Sequence, residues 1–410
     1  TSGDTITIPA GVTFDSSAAT NTLPSTVVTT TGTQTLTNKN IVASQLTGTV
    51  ATSNLGTGTA DATTFLRGDQ TYASATPADN SITTSQLAYN PNPFRNIIIN
   101  GDMSINQRGT VTGISTNTYT LDRWITEGDD ATLTISQDTS VPSAQGFATS
   151  LKIAVTTANA SVAASDAQMI GQRIEGQLLQ QLLYGTSSAK SFTLSFWVKS
   201  NITGTYAMQF QNDDNNKVQT TTYSISSADT WEKKTITISG DTASGFDNDA
   251  NRSFRVLWWL AAGSDYTSNS ASSGAWIARS SNINSIAYGH AVNVTSSTSN
   301  TFYLTGCQLE VGTTASEFEF LPHDVNENRC MRYFEDYKGA NTHGGLYTGS
   351  SYIGHVFYKV RKRTRPSLSA TGSFNNLYNS SGGDKGGTDS MHFGDGAGQY
   401  LTTLTIDAEL

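Results

Sequence analysis

The chain has 410 residues, only 14% of them charged, and a formal net charge of -9. A chain with few charges and a net negative charge does not attract the phosphates of nucleic acid or of an anionic membrane. We therefore expect neither as a partner. The longest apolar runs, such as residues 256–262, are too short for a membrane-spanning helix, so membrane insertion is not expected either.

The composition changes abruptly at Pro93. Before it the sequence consists mostly of Thr, Ser, Gly, Asn and Ala, whereas all six Trp and all five His follow it. The first region lacks the apolar residues for a core of its own, and the second has enough for a large one. We therefore predict a thin stalk at residues 1–92 and a globular head at residues 93–325.

The predicted stalk has a regular apolar pattern. From Leu36 to Leu55, single apolar residues recur every four or five positions, and the segment IVASQL at residues 41–46 returns as ITTSQL at residues 82–87. One chain with this spacing cannot offset its ordering entropy, whereas several chains around a shared axis can. The pattern favours an oligomeric fibre over the alternative, a flexible Thr/Ser linker.

Two segments of the stalk resemble the shaft and neck of tailed-bacteriophage tail fibres. They are TQTLTNKNI at residues 33–41, and GTGTA at residues 56–60 followed by FLRGDQTY at residues 65–72. In that family such segments are trimeric and precede a receptor-binding head. The resemblance therefore implies a homotrimer.

Short alternating runs broken by Gly, Asn, Asp and Ser dominate the sequence of the head. Two clear examples are Phe192, Leu194, Phe196 and Val198, and Phe254, Val256, Trp258 and Leu260. Many such runs predict an antiparallel jelly-roll β-sandwich, in a protein that is mainly β. A short amphipathic helix that ends near Gly185 is predicted between the strands by apolar residues at helical spacing, Ile174, Leu178, Leu179, Leu182 and Leu183.

The head resembles the carbohydrate-binding-like heads of phage tail fibres over residues 93–337. The matching blocks, in order, are FRNIIINGDM at 94–103, NQRG at 106–109, DRW at 122–124, QRIE at 172–175, LSFWVK at 194–199, QLEVG at 308–312 with FE at 318–319, and CMRYFE at 330–335. The resemblance implies a virion location in the tail fibre, other phage tail or baseplate proteins as partners, and a bacterial surface glycan (lipopolysaccharide or capsule) as the receptor. It does not fix the sugar, because the jelly roll hosts many functions.

Sugar recognition needs an exposed aromatic ring for the apolar face of a pyranose, with polar groups for its hydroxyls. Trp197 and Trp259 are candidates because alternation points each away from the main apolar face of its strand. Alternatively, both rings could be buried by a second packed layer or by a subunit interface. Tyr266 and Trp276 are candidates because they lie in the long polar loop at residues 263–276.

Two further motifs are expected to be structural. The Asp122-Arg123-Trp124 block suits a buried Asp–Arg pair beside an indole. Cys307 and Cys330 are expected to be buried thiols, with a single bridge between them as the alternative.

Two loops rich in Asn and Asp, at residues 212–216 and 247–249, hold oxygen ligands of the kind that Ca²⁺ prefers. Neither matches the spaced calcium-loop pattern with its closing Glu, and hairpin turns are the commoner explanation. We expect no cofactor, and a structural Ca²⁺ is the open alternative.

Residues 326–410 are predicted to form a connecting helix and a small β tip domain, completed by neighbouring subunits. At the tip, four aromatic or imidazole side chains are candidate glycan contacts: Tyr347, Tyr352, His355 and Phe357. The basic run YKVRKRTRP at residues 358–366 suits either an anionic sugar or phosphate, or an edge strand protected by its charges and its Pro.

No catalytic motif emerges, since the five His are isolated and no Gly-x-Ser-x-Gly elbow is present. Two carboxylates could still meet in space, as a glycosidase requires, but the long solenoid repeats usual in depolymerising tailspikes are missing. We therefore predict a tail fibre that is not an enzyme and that binds a glycan. A tailspike-type glycan depolymerase and a purely structural fibre segment are the alternatives.

Overall fold

The computed structural model describes residues 55, 57, 64–66, 70–74, 93–270, 273–338, 345–347, 352–373, 376–378, 390–396 and 400–410. The chain divides into two compact units, Thr1–Asp79 and Asn80–Leu410. Residues 93–325 and 326–410, which were predicted as separate domains, both lie in the second unit. Most of the predicted trimeric shaft, including both copies of its repeat, lies outside the described residues.

In the first unit, the described strands form a small hairpin within the segment that resembles a fibre neck. Strands β1 (Thr64–Leu66) and β2 (Tyr72–Ser74) pair antiparallel, with Phe65 opposite Ala73. Phe65 is 52% exposed and Leu66 is 42% exposed. A hairpin this short does not bury its own apolar side chains, so these two remain open in the single chain.

Two antiparallel sheets form the head. Their strands are β3 (Val111–Ile114), β4 (Thr118–Tyr119), β5 (Trp124–Gly128), β6 (Thr132–Asp138), β7 (Ser150–Thr157), β8 (Ala167–Glu175), β9 (Phe192–Ser200), β10 (Gly204–Asn212), β11 (Lys217–Ile225), β12 (Glu232–Ile238), β13 (Arg252–Ala262), β14 (Ile277–Ala278) and β15 (Thr301–Val311). The seven-stranded sheet has the order β14-β11-β10-β13-β8-β5-β4, and the six-stranded sheet has the order β12-β9-β15-β7-β6-β3. The predicted jelly-roll β-sandwich in a mainly β protein is confirmed.

The core lies between the two sheets, where the alternating runs of β9 and β13 face each other. Phe192, Phe196, Phe254 and Trp258 are all fully buried. The rings of Phe196 and Trp258 meet edge to face at 5.4 Å, and those of Phe192 and Phe254 at 5.7 Å. Because side chains alternate along a strand, the neighbours of these residues point to the outer faces of the sheets.

The outer face of the seven-stranded sheet is covered by the chain that follows β13. This segment begins with the short helix α1 (Ser264–Thr267) and packs Ile286 and Ala287 against Leu257 and Trp259 of the sheet. It forms a second, smaller apolar core outside the sandwich. The long polar loop of the sequence is therefore a covering layer.

The predicted amphipathic helix at residues 174–183 is wrong in its geometry. Strand β8 continues to Glu175, and two 3₁₀ turns, Gly176–Leu178 and Gln180–Leu182, follow it. A side chain at Gly176 would meet the Asp247 carbonyl oxygen at 1.9 Å, and Leu183 ends the segment in a left-handed conformation with φ 54°. Close packing at Gly176 and the left-handed conformation of Leu183 thus leave two 3₁₀ turns in place of a regular α-helix.

A helix and two small sheets follow the sandwich. The elements are α2 (His323–Met331), β16 (Phe334–Lys338), β17 (Gly345–Tyr347), β18 (Tyr352–Phe357), β19 (Ser367–Ser373), β20 (Asn376–Tyr378), β21 (Ser390–Gly396) and β22 (Tyr400–Asp407). They form a three-stranded sheet, β16-β22-β19, and a four-stranded sheet, β17-β18-β21-β20.

The basic run at residues 358–366 is neither a fully open charged patch nor a solvated edge strand. Lys362 is fully buried and pairs with the equally buried Glu335. Arg363 donates hydrogen bonds to the carbonyl oxygens of Ala250, Ala408 and Glu409. Lys362 and Arg363 therefore join parts of the fold to each other, whereas Lys359, Arg361 and Arg365 are exposed.

The buried Arg123 has a different partner from the predicted one. It pairs with Glu409, and its guanidinium lies 3.5 Å from the centre of the Tyr333 ring. Asp122 instead accepts hydrogen bonds from the backbone and the side chain of Gln107. The expectation of a buried Asp–Arg pair is thus wrong, because a partner distant in sequence replaces the adjacent one.

Cys307 and Cys330 are both buried and free, which confirms the expected buried thiols. Burial raises the pKa of both thiols. Both groups are therefore neutral and shielded at physiological pH.

His290 makes the stability of the head depend on pH. Burial lowers the pKa of His290 from 6.5 to about 4, and its Nδ1 accepts a hydrogen bond from the Ala207 amide. Below pH 6.5 this imidazole is protonated in the unfolded chain but stays neutral in the folded chain. The free energy of unfolding therefore falls as pH drops, and the loss is complete near pH 4. We expect about 2–3 kcal/mol of acid-induced loss that a His290→Asn variant does not show, measured by urea unfolding at neutral and acidic pH. Equal pH dependence in the two proteins would contradict this assignment.

Candidate functional site

The outer face of the six-stranded sheet carries a pocket with aromatic walls and a volume of about 250 Å³. We call it the aromatic pocket. It is lined by Gln145, Phe147, Ser195, Trp197, Lys233, Gly306, Glu317, Phe318 and Phe320.

Strand alternation places the first part of this lining. Ser195 and Trp197 lie on β9 between core residues and so face outward. Lys233 of β12 is the register partner of Trp197. Gly306 lies where the register between β15 and β9 shifts, between Thr305 and Gln308. A register shift of this kind is a β-bulge, which re-aims the backbone beside the pocket.

Three phenylalanine rings form the second part of the lining. Phe147 precedes β7, whereas Phe318 and Phe320 follow β15. Their ring centres are 4.9 to 5.1 Å apart. Phe147 is buried beneath the others, whereas Phe320 is 50% exposed. The cluster therefore offers a fixed apolar surface with one open ring.

A buried hydrogen-bond network holds the segment that carries Phe318 and Phe320. Glu310 accepts hydrogen bonds from the backbone and hydroxyl of Ser316, at 2.8 and 2.7 Å. Gln308 accepts one from the Glu319 amide at 2.8 Å, and the Glu319 carboxylate in turn accepts one from the Asn96 amide at 2.9 Å. The blocks QLEVG and FE of the sequence thus act as a scaffold for the pocket.

Gly306 allows the aromatic walls to approach the backbone. Its φ is +61°, and a Cβ there would lie 2.6 Å from the Phe147 ring and 3.1 Å from the Trp197 ring. Any larger residue must therefore displace a pocket wall.

A Gly306→Ala substitution is expected to destabilise the head by about 1–3 kcal/mol more than Gly113→Ala, through overpacking. Gly113 is the matched control, because its φ is +69° and a Cβ there has no neighbour within 4 Å. The two variants share the backbone strain, so the difference between their urea unfolding free energies isolates the clash with the pocket. Equal losses of unfolding free energy in the two variants would show that the pocket wall moves without cost and would contradict this prediction.

Polar groups surround the aromatic surface. The side chains of Gln145, Lys233 and Glu317 are exposed, and Ser195 is buried at the pocket floor. They supply an amide, an ammonium, a carboxylate and a hydroxyl. The pocket thus combines flat apolar surface with several hydrogen-bond donors and acceptors.

The other three sandwich candidates do not join Trp197. Trp259 is fully buried under the covering segment, and its indole N–H donates to Gln209 Oε1 at 3.1 Å, so it offers no surface to a sugar in this structure. Tyr266 packs on Trp259 at 5.5 Å and borders a separate, open cleft of about 470 Å³. Trp276 is half-buried and donates to the Ser239 carbonyl oxygen at 2.9 Å.

The tip candidates lie in the four-stranded sheet. Tyr347 belongs to β17, and Tyr352 and His355 belong to β18. Their side chains fall outside the described part of the structure. Phe357, at the end of β18, is 74% exposed.

Sequence reasoning missed most of the aromatic pocket. Phe318 stood in a recognised block, but neither it nor Phe147 and Phe320 was proposed as a contact. One available signal was the pair of phenylalanines two positions apart outside any apolar run. Gly306 inside an alternating strand pattern was another, since it indicates a bulge.

Among the described residues, no group of three or more His, Cys, Asp or Glu side chains could hold a metal ion. In the first loop that suggested calcium, Asp213 pairs with Arg252 and Arg255. Asp214 accepts a hydrogen bond from the Asp247 amide of the second loop. These carboxylates thus have protein partners.

In the part of the chain that the structure describes, no helix has the length and apolar character needed to cross a membrane.

Comparison with family models and with curated proteins gave no match. Among solved structures, the enzymatically active domain of tailspike protein 4 from bacteriophage CBA120 is 12% identical, with 54% of this chain and 22% of that chain covered and a TM-score of 0.28. A carbohydrate-binding module solved with beta-1,4-galactotriose is 9% identical, with 53% and 99% covered and a TM-score of 0.26. A family 11 carbohydrate-binding module of a cellulosomal cellulase from Clostridium thermocellum is 11% identical, with 51% and 97% covered and a TM-score of 0.24. The match with this chain thus covers 22%, about a fifth, of the length of the tailspike chain.

Proposed function

We propose that this chain is the receptor-binding part of a phage tail fibre, and that it attaches to a bacterial surface glycan without cleaving it. The observation that carries the proposal is the aromatic pocket. It sets the half-exposed ring of Phe320 and the partly exposed ring of Trp197 beside polar groups on a rigid sandwich. Flat aromatic surface ringed by a few directional polar groups is what sugar recognition requires.

Binding follows from the chemistry of a pyranose. Its C–H face packs on the open aromatic rings, while its hydroxyls exchange hydrogen bonds with Gln145, Lys233 and Glu317. Such a contact is weak for one site. Several copies on one fibre raise the effective affinity without further contacts.

The lining of the pocket favours binding over hydrolysis. Among its described residues, Glu317 carries the only carboxylate. Glycoside hydrolysis generally uses two carboxyl groups flanking the scissile bond. The proposed role is therefore adhesion.

The tail-fibre assignment and the homotrimer rest mainly on the segments of the stalk that resemble fibre shafts and necks. The exposed Phe65 and Leu66 of the neck hairpin support an oligomer, because such side chains are usually covered. Lipopolysaccharide or capsule is the proposed receptor, the virion the proposed location, and other phage tail or baseplate proteins the proposed neighbours.

The test is binding of the full chain to a printed array of bacterial O-antigens and capsules, followed by adsorption to bacteria that display the positive glycans. We expect binding to a few related glycans, no released oligosaccharide on long incubation, and a trimer by sedimentation equilibrium. Released oligosaccharide would show a depolymerase instead. Binding to no glycan and to no cell would indicate a purely structural fibre segment.

A further inference from the structure

A second group of side chains lies beside the aromatic pocket on the outer face of the same sheet. We call it the lysine patch, and it consists of Lys152, Lys199, Trp231 and Tyr303. Tyr303 of β15 is the register partner of both Lys152 of β7 and Lys199 of β9. These three side chains therefore form a row across three neighbouring strands.

The patch is compact. Lys199 Nζ lies 4.1 Å from the centre of the Tyr303 ring and 5.5 Å from that of Trp231. The two rings meet edge to face at 6.2 Å. Two aromatic rings thus hold one ammonium group in place.

The lysine patch continues the aromatic pocket. Lys199 and Trp197 are two residues apart on β9, so both face outward, about 7 Å apart along the strand. A chain of sugars lying along β9 from the pocket therefore reaches Lys199 next.

Lys199 lacks a full counter-charge. Its Nζ donates to the Ser140 hydroxyl at 2.6 Å, and it forms no ion pair with any described carboxylate. Asp138 is engaged by Lys152 at 3.4 Å. Burial lowers the pKa of Lys199, although Asp138 and Asp229 oppose this from a distance. A partly desolvated ammonium of this kind is stabilised by an anion that binds next to it.

Trp231 forms an apolar side of the patch. Its indole N–H is shielded from solvent and has no hydrogen-bond acceptor among the described residues. The rest of the indole packs against Tyr303 and Lys199. The indole therefore helps to position the Lys199 ammonium.

We infer that the lysine patch is a subsite for the negatively charged group of an acidic sugar, either a carboxylate or a phosphate. The glycan that this chain binds is accordingly an acidic polysaccharide. The inference rests on the proposed function, because the patch extends the aromatic pocket. The anion bonds to the Lys199 ammonium in a partly buried setting, where charge-assisted hydrogen bonds are strongest.

The test uses matched pairs of bacterial polysaccharides. Uronate-containing capsules are measured beside their carboxyl-reduced forms, and phosphate-containing capsules beside their dephosphorylated forms, by surface plasmon resonance with the full chain. We expect the acidic member of at least one pair to bind about tenfold more tightly than its neutral counterpart. The pair that shows the preference identifies the anion as carboxylate or phosphate.

Two variants separate the patch from general charge. Lys199→Met keeps the apolar stem on Tyr303 and removes the charge, so it should abolish the preference for the acidic member. Lys217→Met is the matched control, since it removes the same charge from β11 of the other sheet. Thermal unfolding checks that both variants fold.

The outcomes distinguish the two proposals. Equal binding of acidic and neutral members by the unmodified chain, or an unchanged preference in Lys199→Met, would overturn the acidic subsite alone. Failure to bind every member, acidic and neutral, would overturn the proposed function as well.

Discussion

Replacing Phe320 by alanine is expected to weaken glycan binding by about tenfold, and replacing Trp197 by alanine by at least as much. Both rings line the pocket beside polar groups, and truncating a central aromatic anchor typically removes more than 1 kcal/mol of binding energy, on the order of tenfold. Because Phe320 is half-exposed, its loss should change the stability of the head little. Isothermal titration of the full chain with an array-positive oligosaccharide gives the affinities.

Two aromatic residues outside the pocket serve as controls for this prediction. Tyr288, 39% exposed in the segment that covers the other sheet, tests for nonspecific loss of aromatic surface. Phe357, in the tip, tests the alternative receptor site. Tyr288→Ala and Phe357→Ala should both bind like the unmodified chain. An effect confined to Phe357→Ala would move the receptor site to the tip.

Replacing Glu409 by leucine is expected to cost about 3–5 kcal/mol of unfolding free energy, because it leaves a charge buried without its partner. Arg123 is only 1% exposed, and it pairs with Glu409 and lies over Tyr333. Arg108 also pairs with Glu409 at 3.3 Å. Urea unfolding followed by far-ultraviolet circular dichroism measures the loss.

The controls for this prediction vary burial and pairing separately. Lys234→Met breaks the more exposed pair with Glu232 and should cost no more than about 1 kcal/mol. The double variant Arg123→Met/Glu409→Leu should recover part of the loss, since removing both charges is less costly than stranding one. A Glu409→Leu loss as small as that of Lys234→Met would contradict the assignment of this pair.

Alternation alone predicted the strands of the core, because each turns one face inward. It could not separate Trp197 from Trp259, although both point away from the core. Trp197 stays partly exposed, whereas Tyr266, Ile286 and Ala287 pack against Trp259. That difference depends on how a distant segment packs, which no local pattern encodes.

Long-range contacts also decide the other differences. Phe147 and Phe320 meet only because β7 and β15 are neighbours in the sheet. Arg123 takes Glu409 as its partner in place of the adjacent Asp122. Lys362 of the basic run is buried because it pairs with the buried Glu335. Composition and alternation predicted the fold class, whereas the pocket follows from packing.

A crystal structure of the full chain with an oligosaccharide selected on the array would show where the sugar binds. We expect a sugar ring packed on Phe320 or Trp197, with its hydroxyls bonded to Gln145, Lys233 or Glu317. A sugar bound instead in the cleft beside Tyr266, or on the strands of the tip, with the aromatic pocket empty, would contradict it.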